Sequence, residues 1–330
     1  MRPLLFFLIA LLCCASVWAQ GAPPDASLPW KVIAPAGLKL RAQPNIQAKV
    51  LSTAPFGEKV KLMSDKSFRF DTVGYAPLYY DHTDQIEKVA IVGHWWKVRC
   101  QGQEGYMFSA YLGVDAGSVA SGDEALNQEA VLLFPGYDCF SNFFYHPNWH
   151  WYGAFASGQG LIFKKVQPAF YNFYHTDEEV LAGDFITVDD TQPGLRFIVG
   201  SKNPLPVQQI RTDFLSKRGN GYLFDDDGRP NDALLKKYHL EIYRKDPLHF
   251  WDDQQLVLKN KGIRQIISPS SSTDGPWNLY WSGDLDGDGQ QDYIIQFGDK
   301  DARTQLYLSK SAAKNQLVRP VAVYYSGYCC

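Results

Sequence analysis

The chain of 330 residues carries 32 Lys and Arg against 35 Asp and Glu, a formal net charge of −3. That balance excludes the basic footprint with which nucleic-acid-binding proteins collect phosphates, so no nucleic acid is expected as a partner. The length suggests two domains, and 15% aromatic residues suit either a β-rich core or stacking surfaces.

Residues 1–19 read as a secretory signal peptide. Arg2 supplies the positive charge, Leu4 to Leu12 form an apolar run, and Val17-Trp18-Ala19 ends in small residues suited to cleavage. The run is too short to span a bilayer and no other stretch is long enough, so the protein is read as not transmembrane. Leu12 and Cys13 precede the two leader cysteines, and neither is the small residue that lipoprotein processing prefers. Export to the periplasm or beyond places the mature chain, with Arg2 removed and 31 basic against 35 acidic residues, in an oxidising compartment. Cys100, Cys139, Cys329 and Cys330 then allow three disulfide pairings. A bond between Cys329 and Cys330 themselves would be strained, so at least one is expected to reach back to Cys139 or Cys100.

Residues 20–29, with Pro23, Pro24 and Pro29, read as a linker. Short alternating strands follow over 30–114, separated by glycine and proline turns. They run through Gly37-Leu38-Lys39-Leu40-Arg41, Lys49-Val50-Leu51 and Lys59-Val60-Lys61-Leu62. The pattern resumes at Trp95-Trp96-Lys97-Val98 and Gly105-Tyr106-Met107-Phe108, ending at Tyr111-Leu112. In order and spacing, 38–114 closely resembles the bacterial SH3-like domain. The resemblance implies a small β-barrel that contacts cell-wall peptide or glycan, or a protein partner, or anchors a neighbouring domain.

This copy departs from that pattern between Ser64 and Gly93, where 64–93 read as an enlarged loop carrying Phe68, Phe70, Tyr75, Tyr79, Tyr80 and His82. Tyr75, Tyr79, Tyr80 and the nearby Trp95 are candidate residues of a ligand-binding groove. The competing reading is a hydrophobic flap packed on the second domain. His94 reads as a barrel surface or edge residue.

After a hinge at 115–128, residues 129–330 read as a larger β-dominated α+β domain, so the fold class expected for the whole chain is mainly β. Strands are expected at 130–134, 184–188, 195–200, 207–213, 292–297, 304–309 and 317–325, with a hairpin formed by 149–155 and 161–166. Helices are expected at 231–238, capped by Asn231, and at 251–261.

The strongest chemical signal is the loop 284–292. Asp284, Asp286, Asp288 and Asp292 occupy positions 1, 3, 5 and 9, with Gly289 at position 6 and the Gln290 main-chain carbonyl available at position 7. Calcium takes six to eight oxygens, and alternating carboxylates on a tightly turning backbone supply them. A solvated acidic turn is the alternative. A helix–loop–helix hand would carry Glu at position 12, where this chain has Ile295 followed by strand-forming sequence. The loop resembles the D-x-D-x-D-G-x-x-D loops that lead into strands in secreted repeat and adhesion proteins, which implies a structural calcium rather than a catalytic metal. Residues 225–231 echo the pattern only partly, because Leu223 stands at position 1, and read as a plain Asp-Gly turn.

Asp138-Cys139-Phe140-Ser141 resembles the opening of papain-like cell-wall endopeptidases. Phe140 replaces the small residue, the glycine is absent, and Pro147 would cut the following helix short. Cys139 is therefore read as structural and no catalytic residue is assigned. The order of parts resembles secreted bacterial proteins that pair this barrel with an aspartate-loop region. The expected function is an exported non-enzymatic binding protein. The alternatives are a cell-wall hydrolase using Cys139 with His146 or His150, and an inhibitor or immunity-type protein.

Overall fold

The computed structural model describes residues 27–79, 85–114, 128–138, 145–158, 160–175, 180–212, 214–215, 221–224, 229–244, 254–268, 277–298 and 302–326. The signal peptide, most of the linker, the hinge apart from Gln128, Tyr80, His82, Cys139, Cys329, Cys330 and most of the 225–231 turn lie outside these residues.

Seven strands build the first unit: β1 (Trp30–Val32), β2 (Leu38–Arg41), β3 (Val50–Ala54), β4 (Lys59–Tyr79), β5 (Ile86–Cys100), β6 (Gln103–Phe108) and β7 (Leu112–Val114), with a 3₁₀ turn at Ser109–Tyr111. They pair antiparallel in the order β3-β2-β6-β5-β4-β1-β7. All seven contribute to one core that includes Trp30, Leu40, Ala54, Leu62, Trp96, Met107 and Leu112, so the sheet wraps around its own apolar side chains. Trp30 meets Trp96 edge-on at 4.9 Å between centroids. Gln101 and Gly102 join β5 to β6 with φ of +50° and +78°, the two left-handed residues that a tight hairpin turn requires.

The segment expected as an enlarged loop is instead the outer part of the β4–β5 hairpin, which pairs from Lys61 with Arg99 out to Tyr79 with Ile86. Three register irregularities along β4 bend a strand that would otherwise be long and flat.

The second unit continues with β8 (Ala130–Leu133), β9 (Gly136–Asp138), β10 (His150–Ser157), β11 (Gly160–Lys165), β12 (Pro168–His175), β13 (Val180–Val188), β14 (Leu195–Ser201), β15 (Gln208–Arg211) and β16 (Phe214–Leu215). Then come the helix α1 (Asp232–Lys237), β17 (Leu240–Arg244), β18 (Gln254–Asn260), β19 (Ile263–Ile266), β20 (Asn278–Gly283), β21 (Asp292–Phe297), β22 (Ala302–Leu308) and β23 (Arg319–Ser326). Two five-stranded sheets, β15-β11-β10-β14-β8 and β16-β20-β21-β22-β23, share a core in which Tyr152, Phe163 and Phe197 of one sheet join Trp281, Ile294 and Leu306 of the other. The three-stranded sheet β17-β18-β19 and α1 close a second core against β20–β22 through Leu235, Tyr238, Leu256, Tyr293 and Tyr307.

The second unit is thus more strongly β than expected: α1 is the one α-helix among the described residues. Its cap is as read from the sequence, the Asn231 side chain accepting from Leu234 N at 3.3 Å. The helix expected at 251–261 is corrected to strand β18 from Gln254 onward. Lys261 and Gly262, at φ of +50° and +79°, turn it back into β19, and Leu256, Val257 and Leu258 are all buried. No helix among the described residues is long and apolar enough to cross a membrane.

A third sheet, β12-β13-β9, joins the two units. Asn172 Nδ2 on β12 donates to the carbonyls of Ser109 at 2.8 Å and Leu112 at 2.5 Å. Thr187 Oγ1 on β13 donates to the Pro77 carbonyl at 2.6 Å, and the Tyr79 hydroxyl donates to the Asp190 carbonyl. Ala76, Leu78, Ile91, Trp95 and Phe108 of the first unit pack with Phe185 of β13. His94 is half-buried between Phe70 and Tyr174, at 4.8 and 5.9 Å between ring centroids, and is an interface residue rather than a barrel-surface one.

Candidate functional site

The aspartate loop connects β20 to β21 and is held to the sandwich by its second residue, since Leu285 is fully buried in the shared core. Gly287 and Gly289, at φ of +77° and +80°, let the backbone curl around the carboxylates. At Gly287 a Cβ would also sit 3.0 Å from Pro206 Cγ, so the loop rests directly on the segment before β15. Gln208 Nε2 clamps the same contact by donating to the Asp284 and Leu285 carbonyls at 3.0 and 3.3 Å.

Oxygens of Asp284, Asp286 and Asp292 lie within 4.8 Å of one another. Asp284 accepts from the N–H groups of Gly287, Asp288 and Gly289 at 2.8–3.1 Å. Asp286 accepts from Asp288 N at 3.3 Å and Lys310 N at 3.0 Å. Asp288 accepts from Gln290 N, Gln290 Nε2 and Ser309 Oγ. Asp292, with no exposed surface, accepts four bonds: Leu285 N and Asp286 N on Oδ2, Ser309 N and Ser309 Oγ on Oδ1. Burial, reinforced by repulsion from Asp286, pushes the Asp292 carboxyl up to about 7. Burial raises that of Asp286 as well, against the opposing Lys310 N–H bond. Close carboxylates withdrawn from water are the electrostatic situation that a bound cation relieves.

Ser309, Lys310 and Gln208 were not legible as loop partners. They lie 17, 24 and 76 residues from the carboxylate or carbonyl that each contacts, and nothing in their local pattern marks them.

Among the four groove candidates, Tyr79 and Trp95 are 3% and 2% exposed, while Tyr75 is 67% exposed. Tyr80 lies outside the described residues. Two of the four are thus committed to the interior, Trp95 against Phe108 and Tyr79 in the cluster that joins Ile33 to Phe170 and Ile186. The hairpin packs on the second unit as a flap, and these aromatic side chains do not converge on an open groove.

Cys100 is a buried free thiol, so the disulfide that would use it is not formed. Burial, with Glu58 adding, pushes the thiol up and away from the reactive thiolate. His146 stacks on Trp149 at 4.0 Å between centroids, and its backbone carbonyl accepts from Trp151 Nε1 at 3.1 Å.

The first unit, seven antiparallel strands wrapped around one core, has the architecture of an SH3-like binding module. Residues 36–113 match the family model of the bacterial SH3 domain, and this segment is such a domain. No curated protein and no solved structure matches the chain.

Proposed function

We propose that the protein is an exported, non-enzymatic binding protein whose bacterial SH3 domain contacts cell-wall peptide or glycan, or a protein partner. The observation that carries this reading is the match over 36–113 to a domain type that commonly binds cell-wall components or proteins. With Tyr79 and Trp95 buried, Tyr75 is the groove candidate among the described residues left in solvent to touch a ligand. Retention of the purified protein on peptidoglycan is the test, run with calcium and with chelator. No retention in either condition sinks the cell-wall version.

The aspartate loop is proposed as a structural calcium site. The donor set fits: hard carboxylate oxygens, with Asp286 withdrawn from solvent, on a loop that glycines curl around them. Asp284, Asp286 and Asp288 retain acceptor capacity, and the Gln290 main-chain carbonyl adds to it. The four donors on Asp292 fill its oxygens, so that residue shapes the loop although it lies beside the others. A bound calcium would supply charge neutralisation and no chemistry.

A further inference from the structure

A cavity of about 260 Å³ opens at the end of the sandwich, where β8 and β14 of one sheet meet β22 and β23 of the other. One buried water needs only ~10–15 Å³ of such space. The space therefore holds several waters or one small molecule. Its walls are fixed without one. Lys202 N donates to the Glu129 carbonyl at 3.0 Å, Leu205 N to the Tyr152 hydroxyl at 2.9 Å, and Lys310 N to Asp286 Oδ2 at 3.0 Å. Across the rim, Arg319 of β23 pairs with Glu129 beside β8.

The lining defines the ligand. Leu205, Leu308 and Val321 offer an apolar wall, while Ser201, Asn203 and Ser311 offer hydroxyl and amide groups that both donate and accept. Two charged residues remain, Asp286 and Lys310, because Glu129 is held by Arg319. Their opposite signs leave the lining itself without net charge, and an uncharged hydroxyl can donate to one and accept from the other. A ligand with one C–H face and a rim of neutral hydroxyls meets all of these conditions. We propose that this cavity binds an uncharged saccharide unit. It lies apart from the SH3 domain and does not depend on that domain's partner; Asp286 is shared with the proposed calcium loop, so the titration is run in chelator.

The test is calorimetric titration of the full mature chain with glucose, galactose, N-acetylglucosamine and cellobiose, with glucosamine and gluconate as charged counterparts. At least one neutral sugar is expected to bind with a dissociation constant in the millimolar range or tighter, and the charged analogues about tenfold more weakly. Ser311→Trp, which places an indole in the cavity, is expected to abolish binding, and Asn203→Ala to weaken it several-fold. The proposal is overturned if no neutral sugar binds at tens of millimolar, or if a Ser311→Trp variant melting like wild type keeps full affinity. Should Ser311→Trp fail to fold, Asn203→Ala decides, since its side chain is exposed. Unchanged affinity in that variant overturns the proposal. A negative peptidoglycan result bears on the SH3 domain and leaves this titration to be judged by itself.

Discussion

Asp292 accepts four hydrogen bonds with no surface in solvent, while Asp286, six residues earlier in the same loop, accepts two and keeps room for a ligand. The two substitutions should therefore separate. Asp286→Ala is expected to lower the melting temperature in calcium to that of chelated wild type; identical melting of mutant and wild type in calcium would refute the cation site. Asp292→Ala is expected to destabilise by about 3–5 kcal/mol in urea titrations with or without calcium, because buried N–H donors lose a charged acceptor. A loss seen only in calcium would show that Asp292 is a ligand rather than a scaffold. The four aspartates were legible because the motif is local: spacing along nine residues sets which carboxylates meet. Ser309 and Lys310, which close the loop from the far end of β22, were not, because only the pairing of β21 with β22 brings them there.

Between elements, the contact of the β4–β5 hairpin with β12 and β13 sets the architecture. Asn172 is 6% exposed and satisfies two carbonyls of the first unit, so Asn172→Ala strands both acceptors at a buried seam. A cost of about 2–4 kcal/mol is expected by denaturant titration; a loss of a few tenths would mean that water replaces the amide. Beside the same seam, burial alone would raise the Asp190 carboxyl, but the Lys164 ammonium at 2.8 Å and the backbone N–H groups of Gln192 and Thr191 hold it below its ordinary value of 3.8. A depressed folded-state value means that the pair adds stability above the unfolded-state value, and that this increment is lost as pH falls through the lowered one. Lys164→Met is expected to flatten the acid limb of stability as pH falls below the ordinary carboxylate value. The increment at neutral pH is about 1 kcal/mol or less, because both side chains are partly solvated. An unchanged acid limb would remove the pair from the account. Strand β21 was legible at 292–297 because a turn motif delimits it and β-branched and aromatic residues fill it. Strand β18 was not, because Leu256-Val257-Leu258 is buried on both faces and lacks the alternation that marks a half-exposed strand. Tyr79 and Trp95 looked like groove residues for a related reason: the surface that covers them comes from elsewhere in the chain.

Over the whole molecule, side chains of the SH3 domain and of the second unit share two apolar clusters, with Phe56, Ile33 and Tyr79 in one and Trp95, Phe108 and Phe185 in the other. Domains joined by a buried apolar seam are expected to melt together, so scanning calorimetry should show one transition whose calorimetric and van't Hoff enthalpies agree. Two resolved transitions would mean that the seam opens before either core does. The same seam acquires a clock when the chain is made. The Tyr79 hydroxyl waits for a carbonyl 111 residues downstream and the Pro77 carbonyl for a hydroxyl 110 residues downstream. Synthesis at about 5–20 residues per second delivers that dock roughly 5–20 s after the hairpin tip. For those seconds Ala76, Leu78 and Ile91 lack the Phe185 ring that covers them, and the SH3 domain stands beside a sheet that does not yet exist. The order of residues along the chain thereby fixes an interval in which the newborn protein is at its most adhesive, and it ends only when β13 arrives.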